Sequence, residues 1–219
     1  MRVTGSILSV NRGLPVAAEW AGDKGVTGID KRPADGPVRV HVYGLEGDRV
    51  LDTRVHGGID QAIYAYARED ADWWAAELGR ELHPGNFGEN LTTSGIDLTE
   101  AVIGERWAVG TTVLEVSCSR QPCRVFAGFW RVPDLIKRFT ARALPGAYLR
   151  VLTAGEIAAG DQIEVVHRPD HGLTIGVLFR ALTLEPELLP RLVDVAELPE
   201  KHRDVARRRV AGADAVAPS

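Results

Sequence analysis

One short stretch of the chain combines side chains that could do chemistry. Positions 117–124 read Ser-Cys-Ser-Arg-Gln-Pro-Cys-Arg, so Cys123 lies three residues after Arg120 and directly before Arg124. A cysteine acts as a nucleophile or a soft-metal ligand in its thiolate form, which neighbouring guanidinium cations favour. Pro122 fixes its own φ, which suits a stiff turn at the end of a strand. The stretch predicts a reactive or ligating Cys123, while burial as a small hydrophobe stays an open alternative.

Three further segments place glycine beside polar side chains. They read Gly-Leu-Glu-Gly-Asp-Arg at 44–49, His-Gly-Gly-Ile-Asp-Gln at 56–61 and Phe-Gly-Glu-Asn-Leu-Thr at 87–92. Backbone amides without a Cβ nearby suit anion or heterocycle binding, and a Glu-Asn pair can hydrogen-bond a purine-like or pterin-like edge. Taken singly, each segment is more often a turn or a capped loop.

Several familiar motifs are absent from the sequence. The glycines near position 25 have the wrong spacing for a dinucleotide-binding loop, and no phosphate-cradling Gly-Lys-Ser/Thr loop occurs. We therefore expect no flavin or NAD to be bound by this chain. A zinc site would have to be assembled from scattered side chains such as His41, His83 and the cysteines. A catalytic pair of Cys123 with His56 stays open, because such partners meet only in space.

The composition is that of an ordinary globular chain. Of the 219 residues, 45% are hydrophobic and 26% charged, which argues against disorder, collagen-like repeats and coiled coil. A net charge of −4 argues against binding of a nucleic-acid polymer. No run approaches the ~18 apolar residues of a membrane span, and positions 1–6 lack the apolar region of a signal peptide. We expect a cytoplasmic protein that does not bind a membrane.

Short segments rich in β-branched residues predict strands throughout the first three quarters of the chain. They lie at 3–10, 25–29, 38–43, 62–66, 106–109, 111–117, 147–152 and 162–166. The clearest alternates Leu114 and Val116 on one face with Glu115 and Ser117 on the other, which predicts a half-buried strand. Its period also places Cys118 in the core, on the face of Leu114.

Helical patterns are fewer. One helix is predicted after Arg68, where acidic residues fill the first turn and Trp74 and Leu78 begin an i, i+4 apolar series that runs to Leu82. A second, shorter helix is predicted from Pro133. Many strands with two helices between them favour a curled sheet or barrel with helical decoration.

The sequence pattern changes after position 167, from strand-like to helix-like. The predicted division is a barrel domain at 1–168, a small helical domain at 172–210 and a flexible tail at 211–219. Helices of this size could not stand alone, so they should pack on the barrel or on a partner chain. A homodimer is therefore one of two open arrangements.

Together the glycine segments and the cysteine resemble the MOSC domain, named for the C-terminal part of molybdenum cofactor sulfurases, and most closely its stand-alone YiiM-like bacterial branch. The motifs are Gly-Leu-Glu-Gly-Asp at 44–48, His-Gly-Gly at 56–58 with Tyr-Ala-Tyr-Ala-Arg-Glu at 64–69, Phe-Gly-Glu-Asn-Leu at 87–91, and Arg-x-Pro-Cys at 120–123. The resemblance runs from about position 3 to 210. It implies a mainly β fold with α decoration (α+β), a MOSC-type β-barrel followed by a small C-terminal helical segment.

The resemblance also implies a function. Cys123 would be the catalytic residue and the protein ligand to molybdenum, in a pocket for the pyranopterin cofactor. The cofactor-binding residues that it implies are Arg49, Arg54, His56, Gly57, Asp60, Glu89, Asn90 and Arg120. The implied reaction is reduction of N-hydroxylated bases or related N-oxygenated compounds to amines. Since the chain has no flavin or nicotinamide motif, electrons would come from a separate reductase.

Two alternatives to the reductase stay open at the level of sequence. The chain could carry sulfur or molybdenum cofactor as a Cys123 persulfide or thiolate without redox turnover, or it could bind a purine-like ligand with no metal. Cys118 could join Cys123 in a redox pair or persulfide relay instead of lying in the core.

Overall fold

The computed structural model describes residues 4–49 and 57–214. Its strands are β1 (Thr4–Gly13), β2 (Val16–Ala17), β3 (Val26–Thr27), β4 (Lys31–Pro33), β5 (Val38–His41), β6 (Gly44–Leu45), β7 (Ile63–Ala67), β8 (Leu91–Ser94), β9 (Arg106–Val109), β10 (Thr112–Ser119), β11 (Ala147–Thr153), β12 (Gly155–Ile157) and β13 (Gln162–His167). Its α-helices are α1 (Arg68–Leu78), α2 (Arg124–Trp130), α3 (Leu135–Arg142), α4 (Ile175–Thr183) and α5 (Glu200–Asp214). Short 3-10 helices cover Glu19–Lys24, Ile59–Gln61 and Pro186–Leu192. None of the helices in these two stretches has the length and apolar composition that crossing a membrane requires.

Seven strands form a closed barrel. Their order is β13-β9-β10-β11-β7-β8-β1, and β1 closes the ring by pairing antiparallel with β13. All neighbours in the ring are antiparallel except β7 and β8, which run parallel. The far end of β1 pairs with β4, while β5, β6 and β12 form a separate small sheet. Closure leaves no open edge on the ring, and the prediction of an α+β barrel is confirmed.

The prediction that β10 is half-buried is wrong. Glu115 is 7% exposed and Ser117 is completely buried, although both lie on the face predicted to meet solvent. The Glu115 carboxylate accepts hydrogen bonds from Arg106 at 3.0 Å and Arg150 at 2.9 Å. Arg150 in turn donates to the carbonyl of Glu197, which belongs to the C-terminal segment. This face is buried because segments distant in the sequence cover it: Arg150 and residue 197 lie at Glu115, and the Ser117 hydroxyl meets the carbonyls of Asp60 and Tyr148.

Helices α1 and α3 confirm the two predicted helices, with one difference. Helix α1 ends at Leu78 because Gly79 takes the left-handed conformation with φ of 59°, so Leu82 lies beyond the helix while still being buried. Helix α2 was not predicted, since its seven residues are too few to show a helical period. Gly128 on this helix lets Trp20 pack against the backbone, where a Cβ would lie 2.8 Å from the Trp20 Cβ.

The apolar interior has two parts. One fills the barrel and continues without a break into the C-terminal helices, since Leu114 of β10 belongs to the same buried cluster as Leu178 of α4 and Ala206 of α5. The second, called the aromatic cluster below, lies among α1, α2, α3 and β7. Its rings are Tyr64, Tyr66, Trp74, Phe87, Phe126, Trp130 and Phe139. The C-terminal helices therefore pack on the barrel of their own chain.

The segment that joins α2 to β11 holds residues in an unfavourable backbone conformation. Among the described residues, the non-glycine residues with positive φ are Arg131 (51°), Asp134 (54°) and Ala143 (56°). Arg131 ends α2 at a position where glycine is usual, because an L side chain in the left-handed region crowds the backbone.

We expect Arg131→Gly to raise the free energy of unfolding by about 0.5–1 kcal/mol, since glycine adopts this conformation without the steric cost. Urea unfolding followed by circular dichroism measures the change. Arg131→Ala is the matched control and should show no gain, because alanine keeps a Cβ. A glycine variant less stable than the parent would show that the Arg131 side chain stabilises the fold.

Asp70 in the first turn of α1 does not stabilise the helix as a charged residue. Burial first, and then the neighbouring carboxylates of Asp97 and Glu69, raise its pKa to about 6, and Arg142 only partly opposes them. A carboxyl group with a raised pKa binds its proton more tightly in the folded state, so between pH 4 and pH 6 the stability falls as the pH rises. Above pH 6 the carboxylate is charged, and its burial near Asp97 and Glu69 lowers the stability of the folded state.

Asp70→Asn is therefore expected to stabilise the protein at pH 7.5 by about 2 kcal/mol, and to make no difference near pH 3.5. Urea unfolding at both pH values tests this. Asp72→Asn is the control, because the exposed Asp72 carboxylate pairs with Arg68 at 2.6 Å and its loss should cost a few tenths of a kcal/mol, about the worth of an i, i+4 pair. A gain from Asp70→Asn that persists at pH 3.5 would contradict the explanation.

Candidate active site

Cys123 lies at the junction of β10 and α2. After β10 ends, residues 120–122 lead to Cys123, which has an extended backbone (φ −130°, ψ 169°) and occupies the N-cap of α2. Its carbonyl accepts the Ala127 amide at 3.1 Å. Cys123 is half-buried and packs at the edge of the aromatic cluster.

Cys118 has a different environment. It is fully buried in the barrel core with Leu114 and Val116, which confirms its predicted position. Burial raises the pKa of the Cys118 thiol, so it stays protonated and unreactive at neutral pH. The two sulfurs are not joined in a disulfide. Of the two cysteines, Cys123 is the one placed to bind or react.

Arg120 is a buried cation next to Cys123. The residue is 5% exposed, and its Nη1 donates to the carbonyl of Phe87. The guanidinium carbon lies 4.2 Å from the centre of the Phe126 ring and 5.1 Å from that of Tyr64. Within residues 4–49 and 57–214, no carboxylate forms an ion pair with it. A buried charge without a counter-ion is costly, so this position suits an anionic ligand.

Arg120, Cys123 and two tyrosines form one electrostatic unit. Burial lowers the pKa of Arg120, but the ionisable groups of Tyr64, Tyr148 and Cys123 outweigh burial and raise it. Burial is also the main cause that raises the pKa of Tyr148 to about 12; Arg120 opposes the rise, while Cys118 and then Cys123 add to it. Near neutral pH the arginine is charged and the tyrosine is a neutral phenol. The region of Cys123 therefore contains a buried cation and a hydroxyl donor.

Glu89 shapes the turn that faces Arg120. Its carboxylate is buried and accepts the amides of Gly85 at 2.6 Å and Phe87 at 2.9 Å, and the Thr92 hydroxyl at 2.8 Å. Burial raises the pKa of Glu89, and these hydrogen bonds oppose the rise. At 2% exposure the side chain holds the Phe87 carbonyl in place for Arg120.

Asn90 joins two of the sequence motifs. Its Oδ1 accepts the Tyr64 amide at 3.1 Å, and its Nδ2 donates to Asp48 Oδ2 at 2.9 Å. The other oxygen of Asp48 accepts the Gly13 amide at 2.7 Å and forms a buried ion pair with Lys31. The Gly-Leu-Glu-Gly-Asp and Phe-Gly-Glu-Asn-Leu motifs thus meet in one polar network beside β7.

The remaining predicted site residues are placed as follows. The Asp60 carboxylate accepts from Arg150 at 2.6 Å, which ties it to β11 and β10. Arg49 is exposed, and Gly57 has a φ of 79°. Arg54 and His56 lie outside the described residues. The structure thus brings Arg120 and Cys123 together, with Glu89 and Asn90 supporting the Arg120 side of the site.

Sequence reasoning missed three side chains of this site. Tyr64, Tyr148 and Phe126 surround Arg120, and none was singled out. Tyr64 belongs to a recognised motif, and Tyr148 lies on a predicted strand, so a signal existed for both. Phe126 lies on α2, a helix that no sequence pattern indicated.

The geometry defines a class of protein: a closed barrel with a half-buried cysteine at the start of the helix that follows β10, near a buried arginine. The model of the MOSC domain matches residues 52–164. The chain therefore belongs to the MOSC domain family, and the family expected from the motifs is confirmed.

Known relatives agree with this assignment. The chain is 35% identical over 170 residues to the uncharacterized protein YflK of Bacillus subtilis (strain 168), covering 78% of this chain and 77% of that one. It is 30% identical over 191 residues to a protein named Reductase from Gibberella moniliformis, covering 84% of this chain but only 34% of that longer protein. The crystal structure of YiiM from Geobacillus stearothermophilus superposes with a TM-score of 0.79 at 30% identity, covering 94% of this chain and 99% of that one.

Proposed function

We propose that this chain binds a molybdenum–pyranopterin cofactor and reduces N-hydroxylated bases or related N-oxygenated compounds to amines. The overall change is R–NHOH + 2e⁻ + 2H⁺ → R–NH₂ + H₂O, with electrons delivered by a separate reductase. The observation that carries the proposal is the half-buried Cys123 beside the buried Arg120 cation, on which its thiol acts electrostatically. Membership of a family associated with molybdenum-cofactor binding, and one relative named Reductase, support it.

The residues present fit this cofactor. A thiolate is the soft ligand that such a metal prefers, and Cys123 is half-buried at the rim of an aromatic cluster. In the described part of the chain, no three His, Cys, Asp or Glu side chains group as a metal site. We propose Cys123 as the protein ligand. Arg120 offers the buried cation that an anionic, phosphate-bearing cofactor requires.

The chain's own residues would bind and orient. Arg120 holds the anionic part of the ligand, and the Phe87 carbonyl keeps the guanidinium in place. Tyr148 is a neutral phenol near neutral pH, so its hydroxyl would be a hydrogen-bond donor for a bound ligand. When bound, the cofactor supplies the two-electron chemistry that breaks the N–O bond.

The test begins with protein made in a host that synthesises the cofactor. Elemental analysis measures molybdenum, pterin fluorescence after oxidation measures the organic part, and reduced methyl viologen drives reduction of 6-N-hydroxylaminopurine and benzamidoxime. Near-stoichiometric molybdenum with turnover of either compound is the expected result. Molybdenum without turnover of either compound would favour the carrier function. Absence of both molybdenum and pterin, in a host that loads a control enzyme, would overturn the proposal.

A further inference from the structure

The segment from α2 to the end of α3 is strongly basic in an otherwise acidic chain. Residues 124–142 contain five Lys or Arg and one Asp, a net charge of 5 − 1 = +4. The whole chain has 26 Lys or Arg and 30 Asp or Glu, so the other 200 residues carry 21 − 29 = −8. We call residues 124–142 the α2–α3 surface. A local charge opposite to that of the rest of the molecule is typical of a surface that attracts a charged partner.

Most of these cations are not neutralised by their own chain. Arg138 pairs with Glu77 of α1 at 2.7 Å. The others are exposed, and within the described residues none of them forms an ion pair. They are Arg124, Arg131, Lys137 and Arg142. Asp134 is the one acid within these residues, and Glu77 of α1 is taken by Arg138. The charge of Arg142 acts on Asp70, which leaves Arg124, Arg131 and Lys137 as exposed cations that form no ion pair with a described residue.

Arg131 is present at a cost to the fold. It caps α2 in the left-handed conformation that favours glycine, and its guanidinium makes no hydrogen bond or ion pair with any described residue. It lines the wall of an open cavity of about 270 Å³ with Trp20 and Phe129, and the acids of the same wall are Glu19 and Asp30, of which Asp30 is paired with Arg32. The backbone geometry does not favour an arginine here and no described ion pair holds it, so its charge is available to a partner at this surface.

The α2–α3 surface borders the proposed redox site. It begins at Arg124, directly after Cys123, and α2 is only seven residues, about 10 Å, long. A protein seated on this surface would therefore place its own redox group near Cys123. Protein electron carriers with flavin or iron–sulfur groups often have acidic faces, which complement this charge.

We propose that the α2–α3 surface docks the acidic face of the protein that delivers electrons to this site. The inference rests on the proposed function and adds to it the place and the chemistry of the contact. Charge complementarity between the two surfaces would raise the rate of encounter and fix the orientation, more than it would strengthen the complex.

The test compares two electron sources on the loaded protein. One is an acidic flavodoxin kept reduced by its own reductase, which must dock; the other is reduced methyl viologen, which need not. The variant Arg131→Gly with Lys137→Ser removes two charges without weakening the fold. The matched control, Arg191→Ser with Arg208→Ser, removes two charges from the C-terminal segment.

We expect the variant to raise the KM for flavodoxin about fivefold to tenfold at low salt, and to flatten its dependence on ionic strength. The viologen-driven rate should not change, and the control should match the parent with both donors. An unchanged KM for flavodoxin in the variant, or an equal rise in the control, would overturn the proposal.

A second measurement separates this proposal from the proposed function. Titration calorimetry with oxidised flavodoxin needs no turnover, and we expect the parent and the control to bind it several-fold more tightly than the variant does. If viologen drives no turnover in the parent, the proposed reductase function is wrong. The calorimetric comparison of the parent, the control and the variant still tests the docking surface in that case. Binding of phosphatidylglycerol vesicles or duplex DNA, lost in the variant, with no binding of flavodoxin, would overturn the proposal.

Discussion

Cys123→Ser is expected to lower both bound molybdenum and viologen-driven turnover by at least about a hundredfold, since removing even an outer-shell partner of a metal ligand costs 10- to 100-fold. The serine hydroxyl has nearly the same size but is a hard, weakly acidic ligand, so the soft metal loses its protein bond. Arg120 should keep its place, because its Nη1 donates to the Phe87 carbonyl and its guanidinium lies over the Phe126 ring. The variant should therefore fold like the parent.

Cys118→Ser is the matched control for the same chemical change. It places a hydroxyl in the barrel core, where burial of a polar group costs about 1–3 kcal/mol of stability. Molybdenum content and turnover should stay close to those of the parent. If the two cysteines have the proposed roles, elemental analysis and the viologen assay should show a loss only in the Cys123 variant. Urea unfolding should show a loss of stability only in the Cys118 variant. Full molybdenum and full turnover in the Cys123 variant would remove the thiolate from the site.

Asp48→Ala is expected to destabilise the fold by about 3–5 kcal/mol, because it leaves the buried ammonium of Lys31 without its partner. The two side chains are 6% and 7% exposed. Asp48 also accepts the Gly13 amide and the Asn90 side chain, and both donors would lose their acceptor. The cost therefore combines a stranded charge with two unsatisfied donors.

The pH dependence of this loss has a definite sign. Burial lowers the pKa of Lys31, and Asp48 and Glu89 oppose that change. Without Asp48 the pKa falls further, so the folded variant releases the proton more readily than the unfolded chain does. The stability deficit should therefore be smaller at pH 9.5 than at pH 7.

A double-mutant cycle with Lys31→Met isolates the ion pair. Adding Lys31→Met to Asp48→Ala removes the buried charge, so the double variant should be more stable than the sum of the two single losses. Urea unfolding of the four proteins measures the coupling. A loss of less than about 0.5 kcal/mol for Asp48→Ala, the range of ordinary surface substitutions, would mean that this pair does not hold the motif in place.

Local patterns in the sequence determined much of the framework. Strand alternation predicted most of the barrel strands, because a side-chain period of two records which face meets the core. The same period placed Cys118 in the core on the face of Leu114, as the structure confirms. The motifs identified the family, since their order along the chain is specific even where each one alone is a common turn.

Only the tertiary structure decided which of the motif residues lie near one another. Arg120 meets the Phe87 carbonyl across 33 positions, and Asn90 meets Asp48 across 42, so no local pattern records these contacts. Glu89 was predicted to bind the cofactor, and its contacts show a buried carboxylate that holds the turn supporting Arg120.

The burial of Glu115 is another case in which a contact between distant parts of the chain is not recorded in the local sequence pattern. The position of Glu115 in the alternating pattern of β10 predicts a solvent-facing residue. Its actual environment depends on Arg150 and on the C-terminal segment that Arg150 contacts. Periodicity reports which side of a strand a residue occupies, but a later segment of the chain decides whether that side meets water. The sequence by itself therefore determined the barrel, the family and the cysteine, and the folded chain determined the buried cation and the network that surrounds it.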